Sequence, residues 1–205
     1  MGYKRILLNS KGLNTKVGCK QIKEKLLELA GPDLTSKTIY IVSYPEYPEY
    51  EVDEIILENC ITEIEFKREN IRLSGWQMPD YKFTPDFVYV TEGNTFEILN
   101  YMRRLGICDY IKKLVYENEK NLVYVGSSAG AAIAGSDIML AKDFDSNFVG
   151  MFDYTALGLF NGAIIPHYTK ENLNRYIACT GDHILERYPV IYSVSNEEVI
   201  VLDIQ

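Results

Sequence analysis

Short β-branched or aliphatic runs alternate along the chain with longer stretches of helical period, the pattern of a parallel sheet wrapped by helices. The runs fall at 5–9, 38–43, 86–90, 122–125, 163–165, 190–194 and 199–202, so five or more strands are available. Between the first two, Cys19, Ile22, Leu26 and Leu29 recur at spacings of three and four, and Gly31-Pro32 then stops the helix. Between the second and third, Val52, Ile56, Cys60 and Ile64 recur at every fourth residue, beside Leu57 and Ile61. Both stretches predict helices buried on one face. After the third strand, Asn94 with Glu97 three positions on resembles a capping box, and Ile98, Leu99, Met102 and Leu105 supply the apolar face. Further helices are predicted over 107–118 and over 171–188, the latter interrupted at Gly181. The expected fold is α/β: a doubly wound, mostly parallel sheet with helices on both faces.

Composition changes this picture little. The 205 residues, 47% hydrophobic and 24% charged, form an ordinary globular chain, expected to be one domain over residues 1–205. There is no internal repeat or long linker. The net charge of −8 makes a nucleic-acid partner unfavourable. The longest stretches free of Asp, Glu, Lys and Arg, 121–136 and 154–169, are broken by Gly, Asn, Ser or His and fall short of the about 20 apolar positions of a spanning helix. The N-terminal apolar run, Ile6 to Leu8, is too short for a signal-peptide core, so the expected location is cytoplasmic, with no membrane partner. Cys19, Cys60, Cys108 and Cys179 never form a C-x-x-C pair, which suggests neither a metal site nor a disulfide framework, and buried thiols are expected. The one locally biased stretch, residues 44–50, alternates tyrosine, proline and glutamate after a predicted strand. It reads as a proline-stiffened surface loop, with a substrate-facing rim as the alternative.

Candidate chemistry centres on Gly126-Ser127-Ser128-Ala129-Gly130, which fits G-x-S-x-G. An apolar strand runs into it and the small residues Ala131, Ala132, Ala134 and Gly135 run out, the strand-turn-helix context of a nucleophile elbow. Small neighbours are a geometric requirement of so sharp a turn. Ser128 would project from the carboxyl edge of the sheet at a helix N-terminus. A serine hydroxyl needs an adjacent base, and the chain holds only two histidines. His167 follows an apolar run in Ile165-Pro166-His167-Tyr168 and is the natural candidate; His183 lies in a charged, helical surface context. The base also wants an acid to fix its tautomer. Asp137, Asp143, Asp145 and Asp153 all fall between Ser128 and His167, and spacing does not choose among them.

Three segments in this order resemble peptidase E, the aspartyl dipeptidases, and the related cyanophycinases: Gly93-Asn94-Thr95-Phe96, the elbow continuing into Ala131, and Pro166-His167-Tyr168. The resemblance implies a serine peptidase of class I glutamine amidotransferase-like fold, a flavodoxin-like three-layer sandwich, with serine in place of the elbow cysteine. It implies Ser128 as nucleophile, His167 as base, Asp143 as the acid of the triad, Gly93 and Ala129 N–H groups as oxyanion hole, and Asn94 and Thr95 as substrate-binding residues. It further implies an acyl-enzyme route on short peptide substrates, with neither metal nor organic cofactor. Two places depart from the family pattern. Thr91-Glu92-Gly93 stands where glycines are usual, and a Glu92 carboxylate turned toward the hole would oppose an oxyanion. Leu173 stands where aspartyl dipeptidases carry an arginine for an acidic side chain, with Lys170 or Arg175 nearby, so selectivity for N-terminal aspartate is not implied. Two other readings use the same residues: a catalytically silent peptide- or small-molecule-binding homologue, and an esterase of the α/β-hydrolase type.

Overall fold

A computed structural model of the protein describes residues 3–43, 51–174 and 186–204, with the backbone alone for 51–53. The tyrosine-rich stretch 44–50, Cys179, His183 and most of the helix expected over 171–188 lie outside the described residues. The elements run β1 (Lys4–Asn9), α1 (Lys16–Ala30), β2 (Ile39–Val42), α2 (Glu51–Thr62), β3 (Ile71–Leu73), β4 (Phe87–Val90), α3 (Thr95–Arg104), α4 (Ile107–Tyr116), β5 (Leu122–Ser127), α5 (Ala129–Ala134), β6 (Ala163–Ile165), β7 (Ile191–Ser193) and β8 (Val199–Asp203).

Six strands form one sheet in the order β3-β2-β4-β5-β1-β8. The first five are parallel to one another, and β8 pairs antiparallel with β1. Strand alternation sorts the core into two layers, because successive side chains point to opposite faces. Leu7, Ile39, Ile41, Phe87, Tyr89, Val123 and Val125 pack with Cys19, Ile22 and Leu26 of α1 and Ile56 and Cys60 of α2. Ile6, Leu8, Tyr40, Val42, Val88, Val90, Leu122 and Tyr124 face the opposite way and pack with α3, α4 and α5. The fold is thus the expected α/β arrangement, a mostly parallel sheet with helices on both faces. None of the described helices is long and apolar enough to cross a membrane. Cys19 and Cys60 are free and buried, and burial pushes the Cys19 thiol up to about 11.

Two features add to the pattern in the sequence. The three-residue edge strand β3 carries Arg72 at its centre and no apolar alternation long enough to read. Strands β6 and β7 do not join the main sheet; they form a separate parallel pair with Ile165 opposite Ser193.

Candidate active site

Strand β5 lies in the middle of the sheet, and its carboxyl end turns directly into α5 through Ser128. That residue has φ 50° and ψ −106°, a conformation a side chain normally avoids. The surroundings hold it there. The Ser128 N–H donates to the Asn9 carbonyl of β1, and the Gly130 N–H donates to the Thr91 carbonyl beyond β4. Ala131 and Ala132 N–H groups both donate to the Ser128 carbonyl. The two glycines of the motif are required by contact: a Cβ on Gly126 would stand 2.5 Å from the Gly130 carbonyl oxygen, and one on Gly130 would stand 2.1 Å from that of Val90. Beneath the turn, the buried Ser127 hydroxyl donates to the Asn9 side chain at 2.6 Å.

His167 follows β6 and also has a left-handed φ, 52°. Its Nε2 lies 2.9 Å from Ser128 Oγ, and its Nδ1 lies 2.8 Å from Asn196 Oδ1. An amide oxygen accepts and does not donate, so Asn196 fixes the proton on Nδ1 and leaves the Nε2 lone pair toward the serine hydroxyl. Asn196 sits in the turn after β7. Because β6 and β7 run parallel, the residues that follow each leave the same edge, which brings His167 and Asn196 together. Ser10, fully buried at the end of β1, ties this pair to the main sheet: its hydroxyl accepts from the His167 N–H at 2.9 Å and donates to the Val194 carbonyl at 2.7 Å.

The aspartates considered from the sequence are placed elsewhere. Asp143 ends a short 3-10 turn, Met139–Asp143, and its Oδ2 is buried with no hydrogen-bond partner among the described residues; the position on Nδ1 belongs to Asn196. Asp137 is engaged by Arg187 at 2.7 Å, the Tyr188 hydroxyl and the Met139 N–H. Asp153 pairs with Arg103 at 3.3 Å. Asp145 accepts from the Thr95 N–H at 2.8 Å and from its hydroxyl. A pattern with a carboxylate between serine and histidine has no place for a neutral amide downstream of both. The available signal was the end of the strand at 190–194, which in a parallel neighbour opens beside His167. Ser10 and Asn9 carried no motif at all.

Gly93, Thr95, Ser128, Ala129 and His167 line one pocket of about 220 Å³, with Ala132, Ile138, Leu140, Ala141, Phe144, Ile164 and Pro166 as its apolar wall and Asp137 and Asp145 as its carboxylates. Ala129 opens α5, so its N–H has no partner within the helix, and Gly93, at φ 134°, reaches the pocket from the other side. Asn94 is not among the lining residues. Its Oδ1 caps α3 by accepting from Phe96 and Glu97 N–H groups, and its Nδ2 donates to the Ser146 carbonyl. Glu92 also lies outside the lining and packs over Gly12, so its carboxyl does not stand in the place between Gly93 and Ala129. Among the described residues no three His, Cys, Asp or Glu side chains come together as a metal-binding group.

A Listeria monocytogenes serovar 1/2a peptidase of uncharacterised activity is 33% identical over 122 residues, 57% of this chain and 56% of its own length. Peptidase E of Actinobacillus pleuropneumoniae serotype 7 is 27% identical over 163 residues, 78% of this chain and 66% of its own. The chain spans about half the length of several of the curated relatives it matches. The crystal structure of a Listeria monocytogenes EGD-e protein assigned to peptidase E shares the fold, with a TM-score of 0.70 at 24% identity over 98% of this chain and 95% of that one. Residues 7–203 match the model of peptidase family S51, and the chain belongs to that family.

Proposed function

We propose that the protein is a serine peptidase that cleaves short peptides through an acyl-enzyme formed on Ser128. The observation that carries this reading is the ordered line from Ser128 Oγ to His167 Nε2 at 2.9 Å and from His167 Nδ1 to Asn196 at 2.8 Å, at the mouth of a pocket. Ser128 Oγ attacks the scissile carbonyl while His167 Nε2 takes its proton. The tetrahedral oxyanion is held by the Gly93 and Ala129 N–H groups, neither of which has to move a side chain to do so. His167 then returns the proton to the leaving amine, and water, deprotonated by the same nitrogen, releases the acyl group. Asn196 takes the orienting role that the family resemblance gave to Asp143. Thr95 lines the acyl pocket, whereas Asn94 serves substrate binding indirectly by fixing the start of α3.

The test compares wild type with Ser128→Ala on a dipeptide library. Turnover is expected to fall by about 10³-fold or more, as for loss of a nucleophile in other serine peptidases. Equal turnover by the two proteins would remove Ser128 from the mechanism.

A further inference from the structure

Strand β3 pairs with β2 in a register that sets Arg72 directly opposite Tyr40, and residues paired in this way project to the same face of the sheet. On that face the Tyr40 ring meets Tyr110 of α4 edge-on, with 5.2 Å between centroids. Beside them, at the outer edge of the sheet, lies a cavity of about 440 Å³ whose lining includes Tyr40, Arg72, Ser74, Asp80, Phe83 and Tyr110. Its size is that of a small-molecule site, and it shares no lining residue with the pocket at Ser128.

Two hydrogen-bond donors of this lining have no acceptor. Tyr40 is only 4% exposed, yet its hydroxyl makes no hydrogen bond among the described residues. Burial keeps that hydroxyl protonated, and so a donor. A buried polar group left unpaired is unfavourable, and one in the wall of a cavity is met by whatever fills it. The Arg72 guanidinium lies over the Phe83 ring, 5.8 Å from its centroid, and pairs with no carboxylate among the described residues. The ring contact steadies the group without using its N–H donors. Ser74 is already engaged, accepting from the Tyr101 hydroxyl at 2.7 Å and donating to the Ser43 carbonyl at 3.3 Å. Asp80 brings the opposite charge to the same cavity. Its Oδ1 accepts from the Lys82 N–H at 3.0 Å, and the carboxylate meets no cation among the described residues.

Two unmet donors on adjacent strands call for an acceptor with more than one oxygen, and a carboxylate suits both guanidinium and phenol. The unpaired carboxylate of Asp80 calls for a cation, and the rings of Phe83 and Tyr110 suit an apolar or aromatic body between the two charges. We propose that the cavity beside β3 and α4 binds a free α-amino acid with a large apolar side chain, its carboxylate held by Arg72 and Tyr40 and its ammonium by Asp80. Peptide hydrolysis releases molecules of this class, but the recognition is built from residues remote from the elbow and does not depend on the Ser128–His167 reading.

Isothermal titration of the whole protein with L-phenylalanine tests this. The wild type is expected to bind, and Arg72→Met and Tyr40→Phe are each expected to weaken binding by about 10-fold or more, as for a lost hydrogen bond to a charged group. L-Phenylalaninamide, which keeps ring and ammonium but lacks the carboxylate, is expected not to bind. 3-Phenylpropionate, which lacks the ammonium, is expected to bind about 10-fold more weakly than phenylalanine and to be indifferent to Asp80→Asn, a change that weakens phenylalanine itself. Tyr40→Phe keeps the ring against Tyr110 and removes an unpaired hydroxyl, so its Tm is expected at or above the wild-type value, and it decides the matter alone if Arg72→Met does not fold. A wild type that does not bind phenylalanine overturns the inference. So does binding unchanged in Tyr40→Phe and in a folded Arg72→Met, which puts the ligand elsewhere, the pocket at Ser128 included. Inorganic phosphate that competes as strongly as phenylalanine overturns the amino-acid assignment, since the cavity then reads only negative charge.

Discussion

Three residues other than glycine hold a left-handed φ among the described residues: Glu65, Ser128 and His167. Two of the three face each other across the 2.9 Å hydrogen bond on which the proposed chemistry turns. Each such conformation costs about 1–3 kcal/mol and persists only where the surroundings over-determine it. At Ser128 they do so through the Asn9 carbonyl and the contacts at Gly126 and Gly130. Ser128→Gly is therefore expected to abolish activity while raising stability by about 1 kcal/mol, the relieved strain outweighing the extra freedom of glycine in the unfolded chain. Thermal unfolding measures it, and a lower Tm would contradict the account. The serine and the histidine were legible because each has a local signature, a small-residue turn after a strand and a lone imidazole at a strand end. Asn196 and Ser10 were not, because what makes them part of the site is the pairing of β6 with β7 and the burial of the end of β1, both of which are long-range facts.

Elements show the same division. Among the described residues, the strands with β-branched or aliphatic runs and the helices expected between β1 and β5 stand where their periodicity puts them, and Asn94 caps α3 as its spacing to Glu97 suggested. The edge strand β3 and the departure of β6 and β7 from the main sheet are set by partners rather than by pattern. The seam between β4 and α5 is the tightest part of the site, because α5 lies against β4 with no side chain between them at Gly130. Gly130→Ala would drive a Cβ to 2.1 Å from the Val90 carbonyl oxygen, contact with backbone that cannot step aside. It is expected to destabilise the protein by about 3 kcal/mol or more, at the upper end of overpacking costs. Denaturant titration would reveal it, and a wild-type midpoint would show that the seam yields more easily than its contacts indicate.

At the scale of the whole molecule, the acidic balance read from composition reaches into the pocket. Its described lining carries the carboxylate of Asp145 and that of Asp137, the latter paired with Arg187, and no lysine or arginine; apart from Thr95, Ser128 and His167 the rest is glycine, proline, aliphatic or aromatic. A substrate with a neutral N-terminal side chain is expected to be cleaved with a kcat/KM about 10-fold or more above that of its N-terminal aspartate counterpart, since another carboxylate there would be desolvated and would face Asp145. Paired kinetics on alanyl, leucyl and aspartyl dipeptides measure the ratio, and a preference for aspartate would reverse this reading of the pocket. The architecture also divides the site between two bodies of unequal strength. Ser128 rides on the six-stranded sheet, whereas His167 and Asn196 both ride on a two-stranded pair that Ser10 pins to β1. A pair of three-residue strands opens far more readily than the core of a central sheet. When it lifts, proton acceptor and orienting amide depart together and the nucleophile stays behind, cocked but unassisted. Heat or mild denaturant should thus silence the proposed activity while the main sheet is intact, and cooling should bring it back without refolding the chain.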